Sequence, residues 1–160
     1  MTPRPEQVKR ILVGVDGSGY SQRALAWAVL LAQGLGAEVV AVHAVGLLSR
    51  IGVGPPVPSQ SHLDDVSRAF VTEWCAPLAG SGVAHRMLLV DGSPALALLA
   101  AAEEEDADVI VLGRRGVGGF AEVLLGSTSL HVAGSAGRPV VIVPPPDLAD
   151  PPHPGQATGG

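Results

Sequence analysis

Five short runs of Val, Ile, Leu and Ala alternate along the chain with four longer segments whose apolar residues recur at helical spacing, and this alternation narrows the fold more than any other feature. Strands are predicted at Lys9 to Val15, Glu38 to Val45, Arg86 to Val90, Asp108 to Leu112 and Pro139 to Val143. A first helix, Ser21 to Leu35, carries Ala24, Leu25, Ala28, Val29, Leu31, Ala32 and Leu35 on one period, with Gly36 as its stop. A weaker pattern covers Leu63 to Leu78, with Ser61 as candidate cap and Pro77 marking a kink or an early end. The third helix has Ser93 as cap and Pro94 in its first turn and runs to Glu105; the fourth covers Ser127 to Ala136. Helical crossovers between successive strands imply parallel neighbours. The predicted fold class is therefore α/β, a doubly wound five-stranded parallel sheet with helices on both faces and ligands at the carboxyl ends of the strands.

Composition agrees with that architecture and excludes several functions. Hydrophobic residues make up 47% of the 160 residues but aromatics only 3%, so the core is built from aliphatic side chains, as a two-face-covered parallel sheet requires. The length suits one domain, predicted over residues 8–146, with flexible termini at 1–7 and 147–160. A net charge of −5 gives no broad attraction to nucleic acid or to anionic membranes, so any phosphate site must be local. Cys75 is the only cysteine and cannot form an intrachain disulfide, and no Cys/His spacing resembles a zinc site. Met1 to Glu6 lacks the apolar core of a secretory signal, and no stretch approaches eighteen apolar residues; a cytoplasmic location is expected. The Gly- and Pro-rich stretch Gly46 to Gln60 is long for a connection and reads as a mobile lid, and Pro144 to Gly160 reads as a disordered tail.

The segment Gly113-Arg114-Arg115-Gly116, followed nine residues later by Gly126-Ser127-Thr128-Ser129, lies between a buried-strand signal and a helix. Glycines admit an anion close to the backbone, and a helix start supplies unpaired N–H groups with a favourable dipole. The spacing G-x2-G-x9-G-[ST] thus reads as a phosphate cradle. Together with Ile11 to Ser18, Val42-His43-Ala44-Val45, Gly92-Ser93-Pro94 and Asp106 to Gly113, it resembles the universal stress protein family over Val8 to Pro144.

That resemblance implies a strand order 3-2-1-4-5, homodimers formed through the last strand, Pro139 to Val143, and membership of the ATP-binding branch. It implies that Gly113, Gly116, Gly126, Ser127 and Ser129 hold ribose and phosphates, and that Asp16 lies near adenine and ribose. Val15 and Ala44 would frame the adenine, the latter through its backbone, so that Ala44 in place of the family's usual Val is tolerated. Thr128 adds a hydroxyl to the same helix start, and Arg114 and Arg115 are candidate phosphate ligands because guanidinium forks suit phosphate oxygens. Asp16 could also lie near a magnesium ion held by the phosphates.

Each of these residues also has a plainer explanation. Asp16-Gly17-Ser18 is ordinary Asx-turn chemistry. Arg114 and Arg115 read equally well as loop residues balancing Glu122 and the run Glu103-Glu104-Glu105-Asp106, which itself reads as solvated surface. His43 is expected to be a hydrogen-bonded core or rim histidine, His131 a packing or surface residue, Cys75 inert, and Trp27 and Trp74 packed between helices and sheet.

The resemblance favours an ATP-binding regulatory protein, a nucleotide-dependent dimeric switch acting on an unknown protein partner. Binding of cAMP or AMP, slow ATP hydrolysis, a nucleotidyl-transferring or pyrophosphatase activity and a nucleotide-free dimeric scaffold are the alternatives. Lys9 is the sole lysine, so no Walker lysine is present, and no residue stands out as a general base.

Overall fold

The computed structural model describes residues 6–45, 60–115 and 125–145. Its elements run β1 (Arg10–Gly14), α1 (Gly19–Leu35), β2 (Glu38–Ala44), α2 (Gln60–Ala69), a π-helical turn (Phe70–Trp74), α3 (Ala76–Ala79), β3 (His85–Val90), α4 (Pro94–Glu104), β4 (Val109–Gly113), α5 (Ser127–Ser135) and β5 (Val140–Val143). The five strands form one sheet of order β3-β2-β1-β4-β5, every pair parallel. Strand order and strand direction are those expected.

The central strands are buried on both faces, which is why they read as unbroken apolar runs rather than alternating ones. Ile11, Val13, Val39, Ala41 and Val111 point to the face covered by α1 and the α2–α3 region, where Ala24, Leu25, Ala28, Phe70 and Leu78 complete the core. Leu12, Val40, Val42, Ile110 and Leu112 point to the other face, against Leu98, Ala101 and Ala102 of α4 and Val132 of α5. Alanines on the inner faces of α1 and α4 let these helices lie close to the sheet, so the core needs few aromatic residues.

Local chemistry sets the ends of α1. Ser18 is extended (φ −74°, ψ 157°), and its hydroxyl accepts the Ser21 N–H; Gly36 closes the helix in the left-handed region (φ 67°). Such a hydroxyl cap is worth about 1 kcal/mol. The second helical region departs from expectation. It starts at Gln60, so Ser61 lies within the first turn, and it breaks into α2, the π-helical turn and α3 at Cys75, two residues before Pro77. Cys75 is buried, and burial pushes its thiol up to about 11, in keeping with the inert role expected.

Two further expectations change. Trp27 is 43% exposed on the outer side of α1 and does not pack against the sheet; Trp74 does. The acidic run is solvent-exposed at Glu103, Glu104 and Asp106, as expected, but two of its members are also paired. Glu105 bonds Arg86 at 2.5 Å and Glu103 bonds Arg138 at 2.6 Å. Arg86 also reaches Glu38 at 2.6 Å, and Arg10 reaches Glu38 at 3.1 Å and the Glu105 carbonyl. Arg138 donates to the carbonyls of Ala102 and Ala107, offsetting the unfavourable charge at the end of α4. This network joins β1, β2, β3 and α4 at the amino ends of the strands, opposite the site described next.

The predicted lid falls mostly on residues 46–59, which lie outside the described residues, as do both predicted flexible termini apart from Glu6 and Gln7.

Candidate functional site

The carboxyl ends of β1 and β4 lie side by side, since Val13 pairs with Val111 and the chain continues in register toward Gly113. Asp16 follows β1 and Gly113 ends β4, as the sequence predicted. At the β1–α1 turn Asp16 Oδ1 accepts from the Ser18 N–H at 2.9 Å and from the Ser18 hydroxyl at 2.5 Å. The Asp16 N–H donates to Ser21 Oγ at 3.2 Å, and Ser21 Oγ donates to the Ser18 carbonyl at 3.0 Å. The Asx-turn explanation of Asp16 is therefore correct as local structure. It holds the carboxylate at the mouth of the site, so the two explanations are compatible.

Val15 is buried, with its N–H donated to the Val42 carbonyl at 2.9 Å. Its own carbonyl lies 2.7 Å from His43 Nδ1, and because a carbonyl can only accept, that ring nitrogen carries the proton. Burial lowers the His43 pKa below its ordinary 6.5, against the opposing effects of the Val15 bond and the Asp16 charge. His43 is thus the hydrogen-bonded rim histidine the sequence suggested. Ala44 is half-buried beside it, paired with Val90.

This lowered pKa has a defined sign. The unfolded chain takes up the His43 proton more readily than the folded one, so the stability His43 contributes is whole above 6.5 and is lost as pH falls through 6.5 toward the lower folded value. A His43→Gln variant is expected to show a flatter fall of unfolding free energy between about pH 7.5 and pH 5 than the parent, by urea titration. Equal slopes in the two proteins would refute this assignment.

At the other side of the site the β4–α5 connection is closed at its base. The Arg114 N–H donates to the Val143 carbonyl at 2.9 Å, and the Gly126 N–H donates back to the Arg114 carbonyl at 2.8 Å. Ser129 is buried, and its hydroxyl lies 2.9 Å from the Arg114 carbonyl and 3.2 Å from that of Gly113. Its proton is committed to the loop. The donors left at this helix start are the first-turn N–H groups, which lack intrahelical partners, and the hydroxyls of exposed Ser127 and half-buried Thr128. The N-cap of α5 is Gly126, so that among the described residues no side chain caps this helix, in contrast to α1. Gly116 lies outside the described residues.

Glycine is required here for more than one reason. A Cβ on Gly113 would stand 2.8 Å from the carbonyl carbon and oxygen of Tyr20, so this glycine lets the first turn of α1 cross the end of β4. A Cβ on Gly126 would come 3.3 Å from Arg115 Cα, a contact that small shifts relieve.

Two observations suit these residues to an anionic group such as the phosphates of a nucleotide. Arg115 Nε is buried and, among the described residues, has no hydrogen-bond partner; it lies beside the start of α5. The acidic run bonds Arg86 and Arg138 instead of Arg114 and Arg115, so it does not neutralise this pair. Among the described residues no cluster of three or more His, Cys, Asp or Glu is arranged to hold a metal. Tyr20 lies against Gly113 and Trp74 against Gly17, with Phe70 buried behind His43 and Trp74. Sequence reasoning missed their roles, and the one local signal for them is Gly17 (φ 83°), whose missing Cβ makes room for the Trp74 indole.

Comparison with known proteins agrees with the geometry. Residues 7–144 match the sequence pattern of the universal stress protein family. A universal stress protein of Thermus aquaticus, from the QAH/OAS sulfhydrylase 3′ region, is 38% identical over 136 residues, covering 84% of this chain and 98% of that one. A universal stress protein solved in complex with cAMP superposes with a TM-score of 0.60 at 27% identity, over 86% of this chain and 98% of that one. The Archaeoglobus fulgidus universal stress protein in complex with dAMP shares the fold, with a TM-score of 0.65 at 22% identity over 84% of this chain and 96% of that one. A five-stranded parallel sheet of order 3-2-1-4-5, an acidic turn after its first strand and a glycine-flanked helix start after its fourth, with a family match spanning nearly all of that sheet, lead to one conclusion: this chain belongs to the universal stress protein family.

Proposed function

We propose that this chain is an ATP-binding regulatory protein whose nucleotide lies across the carboxyl ends of β2, β1 and β4. The observation that carries this reading is the start of α5, which no side chain caps among the described residues, beside a buried Arg115 Nε that has no hydrogen-bond partner among those residues. In this assignment Val15 and the Ala44 backbone border the adenine, and Asp16 accepts from the ribose hydroxyls. Gly113, Gly116 and Gly126 admit the phosphates, which Arg114, Arg115, Ser127, Thr128 and the Ser129 N–H bind. A magnesium ion would be held by the phosphates on the Asp16 side. A relative solved in complex with cAMP supports an adenine nucleotide.

The reading is one of binding. Lys9, the sole lysine, precedes β1 at the opposite end of the sheet, where its N–H bonds Asp108. Among the described residues no helix is long and apolar enough to cross a membrane, which accords with a cytoplasmic regulator.

Calorimetric titration of nucleotide-free protein with ATP, AMP and cAMP, with and without magnesium, tests the assignment. Tight magnesium-dependent ATP binding supports it, selective cAMP binding recasts the protein as a second-messenger receptor, and no binding at all leaves the dimeric scaffold. Asp16→Asn keeps an acceptor for the turn but removes the charge, and is expected to weaken binding about tenfold or more, since hydrogen bonds to charged groups are worth roughly 1.5–3 kcal/mol. Unchanged affinity would displace Asp16 from the ribose.

The dimer belongs to the same proposal. The carbonyls of Pro139 and Val143 accept from Ile110 and Arg114, so by the alternation of a parallel ladder Val140 and Ile142 turn their backbone groups to the open edge of the sheet. An uncovered edge of this kind invites a second copy. Val140→Pro removes one outward N–H and keeps the bonds to β4. It is expected to shift the protein to monomer by light scattering at matched concentration; an unchanged dimer mass would place the interface elsewhere.

A further inference from the structure

We propose that Trp74 and His43 form a two-sided clamp on the β1–α1 turn, and that Trp74 is a positioning residue for the nucleotide site through Asp16. The binding part of this proposal rests on the adenine-nucleotide reading above.

Asp16 sits between the two residues that are gripped. On one side His43 Nδ1 donates to the Val15 carbonyl at 2.7 Å. On the other the Trp74 indole lies against Gly17: a Cβ there would come within 2.7 Å of Cε2 and Cζ2 and 3.1 Å of Nε1. The two arms brace one another, with the His43 and Trp74 ring centroids 5.0 Å apart at 79°. Phe70, fully buried, backs both at 5.9 Å and 6.3 Å. Gln22 of α1 donates to the Trp74 carbonyl at 3.0 Å and so ties the π-helical turn to the helix that Asp16 precedes. π-helical turns recur at functional sites.

The hydrogen bonds of Ser18 and Ser21 tie Asp16 to the start of α1. The Val15 N–H bond to the Val42 carbonyl ties the preceding residue to β2. His43, on β2, and Trp74, packed against His43, add side-chain contacts to Val15 and Gly17 on either side of the carboxylate. A binding group must hold its place to about 0.5 Å for its interaction to be realised. An indole also leaves Gly17 no room for a side chain, which accounts for a glycine there beyond its positive φ.

The test has a readout that does not depend on ligand. In NMR spectra of the nucleotide-free protein, the Gly17 Hα resonances should be shifted by the indole ring current and return to ordinary positions in Trp74→Leu. By calorimetry the same variant should bind AMP and ATP about tenfold more weakly, roughly 1.4 kcal/mol. Trp74→Phe, which keeps an aromatic face, should recover most of that loss and guards against misfolding of the leucine variant. Gly17 resonances unaffected by removal of the indole would overturn the clamp. A Trp74→Leu protein that loses the shift yet binds AMP within about twofold of the parent would overturn the positioning role. A parent protein with no affinity for ATP, AMP or cAMP would overturn the nucleotide reading and with it the binding role of Trp74, while the Gly17 shift would still register the indole on the turn.

Discussion

Gly113→Val should lower the unfolding free energy by roughly 3 kcal/mol, because the added atoms meet a backbone that cannot turn aside. The first of them, Cβ, would lie 2.8 Å from the Tyr20 carbonyl carbon and oxygen and 2.9 Å from Tyr20 Cβ. Relief requires α1 to withdraw its first turn from the sheet, and with it Ser18, Ser21 and the turn holding Asp16. From sequence alone this substitution would be expected to block nucleotide while leaving the sheet intact; the Tyr20 contact corrects that expectation. Gly126 is the separable position, since its added Cβ meets Arg115 Cα at a tolerable 3.3 Å and its φ of −68° suits any residue. Urea titration decides the matter: an unchanged midpoint for Gly113→Val would mean that α1 yields without cost.

Phe70→Ala should be comparably damaging, at about 3–5 kcal/mol for an emptied aromatic site. Phe70 is 1% exposed and heads the residues of greatest volume in the core. The cavity would open next to His43 and Trp74, so the loss should extend beyond stability. Burial is the main cause of the lowered His43 pKa, and water entering beside the ring should bring it back toward 6.5. An NMR titration of the His43 ring, read with the urea midpoint, separates a cavity that fills with water from one that collapses. A loss below about 1 kcal/mol with His43 unmoved would indicate collapse and refute the prediction.

Both predictions concern contacts between segments far apart in the chain. Strand positions were legible because two-faced burial leaves uninterrupted runs such as Ile11 to Val13 and Val39 to Val42, and strand ends shifted by only a residue or two. The C-terminal end of α1 was legible from Gly36 and the start of α4 from Pro94, since helix ends are a local matter, although Ser93 at the N-cap of α4 makes no side-chain capping bond. The Leu63 to Leu78 pattern was misread for the complementary reason. In sequence it reads as one helix that kinks or ends early at Pro77, whereas the π-helical turn at Phe70–Trp74 positions Phe70 and Trp74 against His43, a demand made by β2 and the β1–α1 turn. The acidic run looked solvated because Arg86 and Arg138 are distant in sequence; parallel pairing of β2 with β3 and the packing at the end of α4 bring them to it.

The candidate site divides along the same line. The placement of Asp16 just after β1, of Gly113 at the end of β4 and of Ser127 to Ser129 at a helix start could be read from the chain, because turn chemistry and helix starts are encoded within a few residues of one another. Their division of labour could not. That the Ser129 hydroxyl ties the loop, that Gly113 makes way for Tyr20, and that Arg115 Nε stands buried without a partner among the described residues all depend on atoms brought together by folding. The sequence by itself determined the fold class and the family and pointed to the end of the sheet where the proposed site lies, since periodicity, capping and glycine spacing are local and the right-handed parallel crossover leaves few topologies. Tertiary structure alone decided which side chains hold the turn, which hydroxyl is already engaged and which guanidinium nitrogen is left without a partner, because burial and hydrogen bonding across the sheet are properties of the packed whole.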